Sequence, residues 1–195
     1  MQRILSSLGA LGLIALITAP ASAALLSTPI NTGVNDGGSV VGDGTSDGHY
    51  LVSSFGPPQV NSAVSGTPAP DALSAFVVSP TDAHAGAYGF FDQFSVADAG
   101  TMTISGQWAT VDVASGIMLD GTNDATDVTP NPSTGWIPFT ISAPVTAGTN
   151  ALEFTVAQNF GDPVPAVRVE IFSVTPEPAS IALLGGLAVA LMRRR

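Results

Sequence analysis

The 195-residue chain has no cysteine and no lysine, and four of its five arginines (Arg3, Arg193, Arg194, Arg195) sit at its extreme ends. Without thiols it has no disulfide staple, no thiolate metal site and no cysteine nucleophile. Between residues 24 and 175 there are 14 acidic side chains and one cation, Arg168, a balance of 1 − 14 = −13. A body of that sign repels phosphate backbones, so nucleic-acid binding, which needs clustered Lys and Arg, is excluded. The same field disfavours anionic membrane surfaces and polyanionic glycans unless a divalent cation bridges carboxylates. Helical periodicity is also missing from residues 24 to 175. What remains is one domain's length of turn-rich chain, with 21 Gly and 15 Pro, too few for a low-complexity polymer.

The two ends carry their own signals. Arg3, the apolar stretch from Leu8 to Thr18 and the small-residue box Ala21-Ser22-Ala23 read as an export signal over residues 1–23, cut by signal peptidase after Ala23. At the other end come Pro176-Glu177-Pro178, an apolar run from Ala179 to Met192 and then Arg193-Arg194-Arg195. Fourteen helical residues rise only about 21 Å, short of a roughly 30 Å hydrocarbon core, so the expected transmembrane helix is short and weakly held. The terminal arginines keep their end cytoplasmic and leave the body on the far side. The two prolines around Glu177 favour an extended, solvated segment outside that helix.

Pro176-Glu177-Pro178, Leu183-Leu184-Gly185-Gly186-Leu187 and the Arg cluster, in that order at the terminus, resemble the PEP-CTERM sorting signal of Gram-negative bacteria. The resemblance covers residues 176–195. It implies processing by an exosortase in the inner membrane, then delivery to the cell surface or an extracellular polysaccharide matrix.

Residues 24–175 read as an all-β ectodomain, an antiparallel, jelly-roll-like β-sandwich of eight strands between Tyr50 and Val174. In Ala151 to Ala157, Leu152, Phe154 and Val156 share one face; in Ala166 to Ser173, Val167, Val169 and Ile171 point inward, with Arg168 and Glu170 outward. If those two strands pair, Glu153 and Arg168 face each other. Met102, Ile104 and Trp108 share a parity that Val111 and Val113 break, which predicts a bulge or strand break near Ala109 within Thr101 to Val113. Asp120-Gly121 is a hairpin signal, and Gly148-Thr149-Asn150 reads as a tight turn. Gln107-Trp108-Ala109, Asp112, Ile117-Met118-Leu119-Asp120-Gly121 and the stretch from Ala147 to Phe154 are similar to the galactose-binding-like jelly roll of many sugar-binding and surface proteins. Where that family usually has Asn-Gly, this chain has Asp120-Gly121, which preserves the turn.

Few residues suggest chemistry. Asp120, Asn123, Asp124 and Asp127 form an oxygen-rich, Gly-containing loop suited to calcium, although the EF-hand spacing is not met, and Asp36, Asp43 and Asp47 form a second acidic turn region. Acidic turn residues also arise for local hydrogen-bonding reasons alone. Trp108, Trp136, Tyr50 and Tyr88 could stack on sugar rings; Trp108 belongs by parity to the core, and Trp136, beside a Gly/Pro-rich loop, is the better exposed candidate. Ser46, Asp47 and His49 crowd one loop without a nucleophile elbow, His84 lies in a solvated connection, and Glu153 and Glu170 sit outward with no cleft implied. The reading is a non-enzymatic, exported surface protein, a structural or adhesive component of an exopolysaccharide matrix. A calcium-assisted carbohydrate-binding module is the alternative, and a surface hydrolase the third.

Overall fold

The structure is a computed structural model that describes residues 27, 30–53, 56–60, 71–79, 85–123, 135–159 and 164–177. The leader, the apolar C-terminal run, the Arg cluster, Pro178, His84, Asp124 and Asp127 lie outside the described residues.

Short β-branched and aromatic runs between Gly, Pro and Asp clusters become ten strands: β1 (Tyr50–Val52), β2 (Gln59–Val60), β3 (Val77–Val78), β4 (Gly86–Val96), β5 (Gly100–Thr110), β6 (Val113–Leu119), β7 (Thr122–Asn123), β8 (Ile137–Val145), β9 (Gly148–Gln158) and β10 (Ala166–Glu177). They form two antiparallel sheets, with strand orders β1-β4-β9-β6-β7 and β2-β3-β10-β5-β8. Among the described residues there is no helix.

The sheets pack face to face because each long strand alternates. β8 has every second residue buried from Ile137 to Val145. Trp108, Ile104 and Met102 from the second sheet meet Phe90, Phe94, Ile117, Leu152 and Phe154 from the first in one core. The rings of Trp108 and Phe139 lie 5.4 and 5.3 Å from that of Phe154. Each such side chain stabilises the fold by roughly 1.5–3 kcal/mol on burial.

The structure corrects several local expectations. The strand break expected near Ala109 is present at Val111 and Asp112, between the end of β5 at Thr110 and the start of β6. The bulges lie elsewhere: Ile171 and Ser173 oppose Gly106 and Ser105, leaving Phe172 as the extra residue, and a second register shift falls between Ala114 and Gly116. β9 and β10 belong to different sheets, so Glu153 and Arg168 do not pair; Glu153 stands opposite Phe91 and Met118, and Arg168 opposite Ala109. The tight turn comes slightly earlier than expected. Gly148, at φ 102°, already opens β9, while the Asn150 side chain accepts from Thr146 N and donates to the Thr146 carbonyl. Asp120 (φ 47°) and Gly121 (φ 77°) do form the hairpin between β6 and β7.

Candidate functional site

β10 is the strand on which the site is built. β3 covers only Ala166 and Val167 on its outer side. Beyond that, the 30–34 segment takes over: Thr32 Oγ1 accepts the Val169 N–H at 2.9 Å, and Asn31 Oδ1 accepts the Ile171 N–H at 2.7 Å. Backbone groups along a sheet edge must find partners, and here side chains of a loop supply them.

Past Ile171 the bulge turns Phe172 out of the alternation, leaving it 62% exposed, and Leu73 across from it is 58% exposed. They line a groove of about 340 Å³ together with Ile171 and Val174 of β10 and Ile30, Asn31, Val34 and Gly38. Its rim includes Ser173, and none of the residues that line it is charged.

The 30–34 segment is pinned by two buried acids. Asp92 Oδ2 accepts the Ile30 N–H at 2.8 Å, and Tyr50 Oη donates to the Ile30 carbonyl at 3.0 Å. Asp47 accepts the backbone N–H groups of Gly33, His49 and Tyr50. Burial, reinforced by the nearby Asp47 charge, pushes the Asp92 carboxyl from 3.8 to about 7 despite the Ile30 bond. Burial and then the charges of Asp92 and Asp47 raise the Tyr50 hydroxyl well above its ordinary value.

Next to the groove, the outward residues of three strands form a polar surface. Thr175, Thr103 and Ser142 lie in one cross-strand row and Ser173, Ser105 and Thr140 in the next. Neighbouring rows are about 6.7 Å apart along the strands, and the strands about 4.8 Å apart. Thr103 Oγ1 donates to Ser142 Oγ at 3.0 Å, and the Ser105 and Thr140 hydroxyls are also 3.0 Å apart. These residues were missed at the sequence level because Ser and Thr on an outward face read as ordinary solvation.

A charged cluster lies beside the groove on the same face, on the residues that flank Leu73 and Ile171. Arg168 points outward from the core, as the alternation predicts, yet it is fully buried beneath the 71–79 segment. Its guanidinium meets Asp71 at 2.9 Å and Glu170 at 3.3 Å, its Nε donates to Ser74 Oγ at 2.7 Å, and its Cζ lies 4.7 Å from the Trp136 ring centroid. Gln107 Nε2 donates to the other Glu170 oxygen at 2.7 Å. Burial alone would raise the Asp71 carboxyl; the Leu73 N–H and the Arg168 charge overcome it and hold it below its ordinary value. Trp136 is therefore a half-buried partner of Arg168 and not a freely exposed platform.

Among the described residues the remaining sequence candidates form no common site. Asp120 is exposed on its turn and Asn123 pairs with Met118, so the expected calcium loop is only half within the described residues. Among those residues no group of three or more His, Asp or Glu side chains could hold a metal. His49 Nε2 lies 3.2 Å from Asp36 Oδ1, an oxygen on a 99% exposed side chain, while Asp47 is engaged by backbone amides, so Ser46, Asp47 and His49 form no relay. Glu153 and Glu170 lie on different sheets. Pro176 and Glu177 are extended as expected but are not free of the body: they complete β10 opposite Met102 and Thr101, and Thr103 Oγ1 lies 3.4 Å from Glu177 Oε1.

No family model matches this sequence, and no curated protein does. Among solved structures, the chain is similar to CBM35 from Cellvibrio japonicus Abf62, at 16% identity over 68% of this chain and 92% of that one, with a TM-score of 0.39. It is similar also to a family 35 carbohydrate binding module from Clostridium thermocellum (13% identity, 73% and 98% covered, TM-score 0.40) and to CBM35 from Paenibacillus barcinonensis (16% identity, 75% and 99%, TM-score 0.38).

Proposed function

We propose that this chain is an exported, surface-displayed and non-catalytic β-sandwich that adheres to extracellular polysaccharide. The observation that carries the reading is the hydroxyl grid of Thr175, Thr103, Ser142, Ser173, Ser105 and Thr140 on the outer face of the second sheet. Such groups donate and accept in any direction, as sugar hydroxyls do. We read the strand order β3-β10-β5-β8 facing β4-β9-β6-β7 as a jelly-roll winding. Delivery falls to the ends: a leader over residues 1–23 removed by signal peptidase, and a PEP-CTERM signal over 176–195 handled by an exosortase. The continuation of β10 through Glu177 supports a sandwich that is complete before the apolar run begins at Ala179.

Affinity electrophoresis of the purified protein through gels containing host exopolysaccharide tests the adhesive reading. Retarded migration is expected, and it should be lost in the triple variant Thr103→Val, Thr140→Val, Ser142→Ala. Unretarded wild-type protein would refute it. Deleting residues 178–195 tests delivery separately, since unchanged surface retention of that variant would rule out the sorting signal.

A further inference from the structure

We infer that the groove beside the Phe172 bulge is a binding site for neutral sugar residues, with the Phe172 ring as its stacking platform; the inference rests on the adhesive reading and names its ligand class. Three observations carry it.

The first is the bulge. An extra residue in β10 places a large apolar ring on the surface at 62% exposure, next to Leu73 at 58%, and these are the two large hydrophobic side chains so exposed among the described residues. A ring anchored on a sheet strand presents an apolar face on which the apolar face of a pyranose can pack.

The second is the frame. Asn31 spends its amide on the walls, its Oδ1 on the Ile171 N–H and its Nδ2 on the Leu73 carbonyl at 3.0 Å, so that the loop, the strand and the 71–79 segment are tied together at one residue. The Ser173 hydroxyl on the rim joins the groove to the hydroxyl grid, which gives a longer glycan a path beyond the first ring.

The third is charge. The groove has no charged lining residue and sits in a body of balance −13. The one cation of that body, Arg168, is fully buried and held by Asp71 and Glu170. Among the described residues no exposed Arg or Lys is left to pair with a uronate or a sulfate, and the surrounding field opposes both. A neutral hexose or pentose meets neither obstacle.

The test is affinity electrophoresis of the full chain through hydroxyethylcellulose, galactomannan and polygalacturonate, each with and without a chelator. Retardation by at least one neutral polymer, unchanged by the chelator and stronger than that by polygalacturonate, is the expected result. Phe172→Ala should weaken it about tenfold, and Phe172→Trp should retain it. Both variants should fold, because the site is exposed. Neutral binding that survives Phe172→Ala and Leu73→Ser but is lost with the Thr103, Thr140, Ser142 triple variant would overturn the groove while leaving the adhesive reading standing. Equal or stronger retardation by polygalacturonate would overturn the neutral class. Failure of the wild type to bind any of these polymers or the host exopolysaccharide would sink both.

Discussion

Raising the pH from about 5 to about 8 should loosen the sandwich, and Asp92 is the residue responsible. Its side chain is buried opposite Tyr50, where burial and the neighbouring Asp47 charge lift its pKa from 3.8 to about 7. In the unfolded chain the same carboxyl ionises near its ordinary value. Between those two points the folded state holds a proton that the unfolded state has released, so stability falls as pH rises. The contribution is fully present below about 3.8 and is lost as pH passes through about 7. The part of that gap lying between pH 5 and about 7, some two units, corresponds to about 3 kcal/mol, or roughly 5–10 °C in Tm for a domain of this size. Burial also raises Glu153, and that change acts in the same direction. Asp71 acts oppositely, because its lowered value contributes stability only above the ordinary carboxylate range and loses it in more acidic solution. Scanning calorimetry across the range would show the fall in the wild type. Asp92→Asn keeps an acceptor for the Ile30 N–H and removes the titration, so its profile should be much flatter. A wild-type Tm that holds or rises over this range, or an Asp92→Asn variant with an undiminished slope, would refute the reasoning.

Arg168→Ala should cost about 3–5 kcal/mol in urea denaturation, because it strands the Glu170 carboxylate under the 71–79 segment. Adding Glu170→Gln should recover part of that loss, and no recovery would count against the charge-stranding account. At Trp108 the buried Nε1 has no hydrogen-bond partner among the described residues. Trp108→Phe removes that orphan donor along with some apolar area and should cost only about 1–2 kcal/mol, against about 3–5 for Trp108→Ala. Equal costs for the two variants would show that the indole N–H is satisfied in solution.

Alternation made the long strands legible. Leu152, Phe154 and Val156, or Val167, Val169 and Ile171, can face one core only from extended chain, and all of them are buried or half-buried there. The Asp120-Gly121 turn was legible because few residues tolerate positive φ at two successive positions. Which strands pair was not legible, since β9 and β10 have equally clean patterns and yet end in different sheets. The bulge did leave a trace: Val167, Val169 and Ile171 are odd-numbered, and the next core-packing residue, Val174, is even. Phe172 fills that slip, so a parity count carried one residue further finds it.

The 71–79 segment explains why the charge pattern misled most at Arg168. Alternation rightly sends that side chain away from the intersheet core, and on a bare sheet it would stand in water as the one positive point on an anionic body. A segment some ninety residues earlier in the chain lies over it instead, bringing Asp71 and Ser74 within hydrogen-bond reach. Desolvating a guanidinium is tolerable only with partners placed on several sides, and Asp71, Ser74, Glu170 and the Trp136 ring together provide them. Local sequence around Arg168 supplies Glu170 alone. The consequence reaches the surface, because burying this cation removes the body's one fixed point of attraction for anionic ligands and leaves uncharged chemistry to the groove next to it.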